Sequence, residues 1–167
     1  MLTPPFVRDY DHCLGEGGPP LVLFGDYEDA ACAQAHRAIS GLLERWPQFT
    51  YAWRHLPLGE VHEHANGAAL AAECAAAQDA FWAYHHVLLA RQDALSVPDL
   101  LNYAGRIGLD VAVMMEDLMD DQYAERVLDN VRSAVSSGVK APPAIFIENV
   151  LWEGGWEESA LRAALAG

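Results

Sequence analysis

Leu21-Val22-Leu23-Phe24 is an unbroken apolar run set between Pro19-Pro20 and Gly25-Asp26. A strand with one wet face alternates polar and apolar residues, so a short continuous run fits a strand covered on both faces. The next segment carries Ala35, Ile39, Leu42, Leu43 and Trp46 at close to helical spacing, which predicts a helix with one buried face. Pro47 stops that helix, and Asp26 or Asp29 can accept hydrogen bonds from the free amides of its first turn. Phe49 to Leu56 is aromatic and β-prone and is closed by Pro57. Strand, helix and strand of these lengths predict a βαβ unit with a parallel pair, over residues 21–58.

Before this unit, residues 1–20 are rich in proline and glycine, which disfavours regular structure and suggests an arm laid on the surface. After it, residues 60–137 read as about five short helices. Phe81, His85, Leu88 and Leu89 share one face, and Val97, Leu100, Leu101, Ala104 and Ile107 share another. Breaks are expected at Gly67, Gln78-Asp79, Ser96, Gly108 to Asp110 and Asp120-Asp121. Residues 140–167 return to strands, with Ala144 to Ile147 and Val150 to Trp152 joined by a turn at Glu148-Asn149, then a closing helix with Leu161 and Leu165 on its inner side. The predicted class is α/β: a βαβ half, an all-helical insertion and a ββα half, in a single domain over 1–167.

The chain of 167 residues, 52% hydrophobic, is long enough for one core of this kind. Its 24 acidic residues against 10 basic ones give a formal charge of -14, which repels phosphate backbones and anionic lipid heads, so neither nucleic acid nor a membrane is an expected partner. No stretch approaches the ~20 apolar residues of a membrane span, and no basic, then apolar, leader opens the chain. Cys13, Cys32 and Cys74 are odd in number and widely spaced, which fits a reducing, cytoplasmic setting better than a disulfide framework. There is no glycine-rich phosphate loop followed by a helix, and no cofactor is expected. His62-Glu63-His64 and His85-His86 offer imidazoles, but His85 and His86 point about 100° apart on a helix, so no metal site is expected.

The element order, with Asp11-His12-Cys13-Leu14-Gly15, Gly25-Asp26-Tyr27-Glu28, Arg54-His55-Leu56-Pro57-Leu58, His62-Glu63-His64-Ala65, Phe81-Trp82 and Gly138 to Ala144, resembles the DsbA-like branch of the thioredoxin fold. The resemblance runs over nearly the whole chain. It implies a thiol–disulfide oxidoreductase ancestry, a Cys-x-x-Cys pair directly after the Gly25 to Glu28 turn, and a cis-proline at Pro143 facing it. Here that pair reads Asp29-Ala30-Ala31-Cys32, and Pro142 departs from the pattern beside the cis-proline position.

Disulfide exchange needs an attacking thiolate and a second thiol to resolve the mixed disulfide. Asp29 stands where the attacking thiol belongs, so the dithiol cycle is not expected, and Asp29 reads first as a helix cap and second as a general base. Cys32 matches the resolving position. Helix amides would lower its pKa and the Asp29 charge would raise it. Cys13 and Cys74 are expected to be structural. Two functional readings stand side by side. One is a module binding an extended peptide or small ligand in a groove lined by Tyr27, Pro142 and Pro143. The other is a single-thiol or glutathione-linked enzyme using Cys32, with a protein thiol or glutathione as partner. A docking subunit is a third.

Overall fold

A computed structural model describes residues 1–167. Five strands make one sheet in the order β1-β3-β2-β4-β5: β1 His12–Leu14, β2 Pro20–Gly25, β3 Thr50–His55, β4 Ala144–Ile147 and β5 Val150–Leu151. The central pair β2 and β3 is parallel and every other pairing is antiparallel. The helices are α1 Ala30–Arg45, α2 Ala65–Ala77, α3 Phe81–Ala90, α4 Val97–Arg106, α5 Val111–Met119, α6 Ala124–Ser136 and α7 Glu158–Ala166.

The apolar run in β2 is covered on both sides, as its pattern requires. Leu21 and Leu23 join the larger core with Ile39 and Leu42 of α1, Leu161 and Leu165 of α7, and residues of the helical insertion. Val22 and Phe24 point the other way, into a smaller core closed by Ala134 of α6 with Phe146 and Ala144 of β4. In β3 the same alternation sends Tyr51 and Trp53 to the larger core and Ala52 to the smaller one. The β4–β5 turn uses positive φ at Glu148 (48°) and Asn149 (69°), the geometry of a tight hairpin that follows the strand twist.

Two expectations are corrected. The N-terminal arm is not wholly irregular, because His12–Leu14 pairs antiparallel with β3 through His12 opposite Trp53 and Leu14 opposite Tyr51. The pairing is long-range, fixed by the free edge of β3 and by an Arg54 to Asp11 ion pair, and local propensity does not report either. Gly67 does not break the chain, since α2 runs through it from Ala65 to Ala77. The alanines on both sides hold the helix, and a single glycine costs it only about 1 kcal/mol.

Candidate functional site

β2 ends at Gly25, against which the Trp53 indole lies so closely that a Cβ there would meet Cη2 at 2.2 Å. The chain then turns through Asp26 to Asp29 into α1. Asp26 is 1% exposed and holds this turn from within. Its Oδ1 accepts from the Glu28 amide at 2.8 Å, and its Oδ2 accepts from the Leu58 amide at 2.8 Å and from His62 Nδ1 at 2.9 Å. The His62 hydrogen bond raises the pKa of that imidazole above its usual value, against the opposing effect of partial burial. Glu28 adds a second tie across the same gap by accepting the His64 amide at 2.7 Å. The two histidines flanking Glu63 thus anchor the 58–64 loop.

Asp29 is the N-cap of α1, with extended φ and ψ of -87° and 119°, and its Oδ1 accepts the Cys32 amide at 2.8 Å. The cap is the role its chemistry favours at a helix start. No other side chain hydrogen-bonds the carboxylate, so the partner that a general base would need is absent. Cys32 turns inward. It is 0% exposed, and its sulfur accepts the Asp26 amide at 3.3 Å. Burial pushes the thiol far above its usual pKa; the Asp26 amide opposes this and the Asp29 charge adds to it. Cys32 thus lies in the larger core, where loss of solvent outweighs the helix-start field.

Tyr27 is likewise buried. It is 1% exposed, so it cannot line a groove, and its hydroxyl shares a 2.7 Å hydrogen bond with His85 Nδ1. Gln92, which no sequence pattern singles out, clamps the turn from outside by donating Nε2–H to the carbonyls of Tyr27 and Asp29, both at 2.8 Å.

The Pro142–Pro143 peptide bond is cis. Phe24 pairs with Ala144, so the antiparallel register carries Pro143 to the level of Gly25, at the sheet end where the Asp26 to Asp29 turn lies. Pro142 is buried and Pro143 half-buried. Neither residue has an N–H, so this stretch of the loop offers no backbone donor to an added strand. None of the five principal surface clefts is lined by Asp29, Cys32, Pro142 or Pro143.

Behind the site, aromatic and imidazole rings form a buried polar cluster. His85 Nε2 lies 3.4 Å from His36 Nδ1, and His36 Nδ1 is 2.9 Å from the Tyr51 hydroxyl. Burial lowers the His36 pKa to about 3, with His86 and Arg37 adding to it, and lowers that of His85 well below its usual range. Both rings are therefore neutral near neutral pH.

His12, His55 and Glu73 form the one grouping with the donor set and closeness of a metal site. His12 and His55 each donate Nε2–H to Glu73 Oε1 at 2.9 Å. Burial alone would raise the Glu73 pKa, and these two hydrogen bonds overcome it and hold the carboxyl far below the usual range. The residues do not fit a metal. Trp53 Nε1 donates to His55 Nδ1 at 3.3 Å, which puts the ring proton on Nε2, the atom a metal would need bare. Arg126 Nε also stands 3.6 Å from Glu73 Oε2 and supplies the countercharge. The cluster is a satisfied hydrogen-bond network joining β1, β3 and α2.

A βαβ–ββα sheet with a helical insertion, a capped first helix at the sheet end and a cis-proline at the same level define a thioredoxin-fold protein. The model of the DSBA-like thioredoxin domain family matches residues 21–166, and the chain belongs to that family. Among solved structures it is similar to a thioredoxin-like oxidoreductase from Silicibacter pomeroyi, at TM-score 0.85 and 25% identity over 95% of this chain and 92% of that one. It shares its fold with BdbD from Bacillus subtilis, at TM-score 0.82 and 19% identity over 94% of each chain. Among curated proteins it is 40% identical over 166 residues to the Na(+)/H(+) antiporter NhaA 3 of Salinispora tropica, and 35% identical over 168 residues to the Na(+)/H(+) antiporter NhaA of Herminiimonas arsenicoxydans. Those matches take in 98% and 99% of this chain but 26% and 27% of the relatives, so the chain spans about a quarter of their length. No helix here is long and apolar enough to cross a membrane.

Proposed function

We propose that this chain is a DsbA-like module without dithiol redox activity that works by binding, as an accessory to a sodium–proton antiporter. The observation that carries the non-redox reading is the Asp29 to Cys32 hydrogen bond: the attacking position holds a carboxylate spent on capping α1, and the thiol three residues on is 0% exposed. The accessory role is supported by relatives named as antiporters, in each of which about a quarter of the length corresponds to this chain. Three unpaired cysteines support a reducing, cytoplasmic setting.

Peptide capture by strand addition at the cis-proline loop is disfavoured by Pro142, which removes the amide beside the cis-proline. Single-thiol chemistry is disfavoured by the burial of Cys32. The test is insulin reduction with dithiothreitol, together with native incubation in oxidised glutathione. The expected outcome is turbidity onset at the uncatalysed rate and no adduct on Cys32. Turnover by the unmodified chain, or a Cys32–glutathione disulfide formed without denaturant, would show the redox reading to be right instead.

A further inference from the structure

Of the ten basic residues, Arg8, Arg45, Arg54, Arg126 and Arg132 are paired with Asp129, Glu158, Asp11, Glu73 and Glu125. Arg37, Arg91, Arg106, Lys140 and Arg162 have no carboxylate at ion-pair distance. Two of these five, Arg91 and Arg106, line one cleft of about 370 Å³ between α3 and α4, and His86 joins them. Arg37 lies in an adjoining cleft of about 440 Å³ that shares His86 and Ala90 with the first.

The α3–α4 cleft has no acidic residue among those lining it, in a chain with 24 of them. Its remaining wall is apolar: Val87, Ala90, Ile107 and the ring of Tyr103. The Tyr103 hydroxyl is already used, donating to the Ala94 carbonyl at 2.8 Å, so the ring offers a flat apolar edge. Asp93 and Asp99 act on Tyr103 from outside the lining, and Glu44 lies on the Arg37 side.

We infer that the α3–α4 cleft is a binding site for an amphipathic organic anion, a single oxyanion headgroup on a flat apolar body. Clefts of about this size commonly hold small ligands, with an apolar lining and a few convergent polar groups. Two guanidinium groups can each give a carboxylate two parallel N–H donors, and unpaired arginines do not first have to leave an internal partner. A net charge of -14 repels anions from most of the surface, so a cleft lined by two unpaired arginines and by no carboxylate selects where one lands, although Asp93 and Asp99 stand outside its lining. Arg91 adjoins Gln92, which clamps the Asp29 turn, but none of the residues of that turn lines the cleft, and the inference does not depend on the redox state or the antiporter association proposed above.

The probe is 2-naphthoate, followed by calorimetry and by the methyl resonances of Val87 and Ile107, with neutral 2-naphthamide, inorganic phosphate and hexaglutamate as comparisons. Saturable naphthoate binding is expected, with shifts at both methyl groups and at least tenfold weaker binding of the amide and of phosphate. The exposed R91Q/R106Q double substitution should weaken naphthoate at least tenfold, and R162Q on α7 should leave it unchanged. Equal binding of naphthoate and naphthamide, or undiminished binding by R91Q/R106Q, would overturn the site. A preference for hexaglutamate over naphthoate would overturn the small-ligand assignment in favour of an acidic segment.

Discussion

The carboxylate of Asp29 and the amide of Cys32 meet at 2.8 Å, and this one hydrogen bond caps the first turn of α1 at the position where the family resemblance implies an attacking cysteine. The same amides that would stabilise a thiolate stabilise a carboxylate, so Asp29 suits this helix start without any thiol.

If capping is the function of Asp29, Asp29→Ala should cost about 1 kcal/mol of stability, with Asp29→Ser close to neutral, because serine caps nearly as well. Urea denaturation of the three proteins measures this. Asp29→Cys should put a second thiol beside Cys32 and confer insulin reduction above the unmodified chain. An inert but folded Asp29→Cys protein would mean that the burial of Cys32 and the missing amide at Pro142 close the site as well.

Thiol accessibility separates the cysteines. Cys32 and Cys74 are buried, at 0% and 1% exposure, while Cys13 is exposed on the edge strand. Local desolvation, reinforced by the Asp11 charge, still pushes Cys13 up to about 11, and burial pushes Cys74 up to about 12. At pH 8 an aromatic disulfide reagent should titrate one thiol slowly in the native protein and three in denaturant. Fast native reaction at two or more sites would contradict the packing around α1 and α2.

Much of the scaffold was legible because it is written in local pattern. The four-residue apolar run, the Pro47 stop, the break at Ser96 and the Glu148-Asn149 turn each announce themselves within a few residues. The site was legible only where it breaks a known motif, at Asp29. Its supporting contacts were not, since Gln92 reaches back 63 residues to the Asp29 carbonyl and Glu73 lies 61 residues from His12. The burial of Tyr27 and Cys32 was not legible, for the same reason. Whether a residue beside a helix start faces solvent or core is decided by what packs over it, and here His85 covers Tyr27 while Cys32 joins the core shared with the helical insertion.

Arg54 and Asp11 show what the arm contributes. Both side chains are all but fully buried, at 0% and 1% exposure, and Arg54 donates to both Asp11 oxygens, to the Phe6 carbonyl and to Ser133 Oγ. Asp11→Ala would strand a buried guanidinium and should destabilise the fold by about 3–5 kcal/mol, far more than loss of an exposed pair such as Arg132–Glu125. Replacing both partners by apolar residues should recover most of that loss. Comparable thermal midpoints for Asp11→Ala and Glu125→Ala would argue that the arm is only loosely attached.

Buried histidines set the pH dependence of stability. His36, His55 and His85 all have folded-state pKa values below the ordinary 6.5, mainly through burial, with the Glu73 hydrogen bond opposing the shift at His55. Below pH 6.5 the unfolded chain binds protons that the folded chain cannot take, so stability falls as pH falls, by up to about 1.4 kcal/mol per pH unit for each ring. Glu73 has the depressed carboxylate sign: its contribution is full above about pH 4.5 and is lost as pH falls further. His62 works the other way, since its raised pKa stabilises fully below 6.5 and fades as pH rises through the folded value, but it is one partly exposed group against three buried ones. Urea midpoints measured from pH 7 to pH 5 should therefore drop with the uptake of between one and three protons on unfolding. His36→Phe should lower that uptake by about one while leaving folding cooperative. A flat profile over this range would mean that the imidazole cluster is open to water and that its rings are charged in the folded protein.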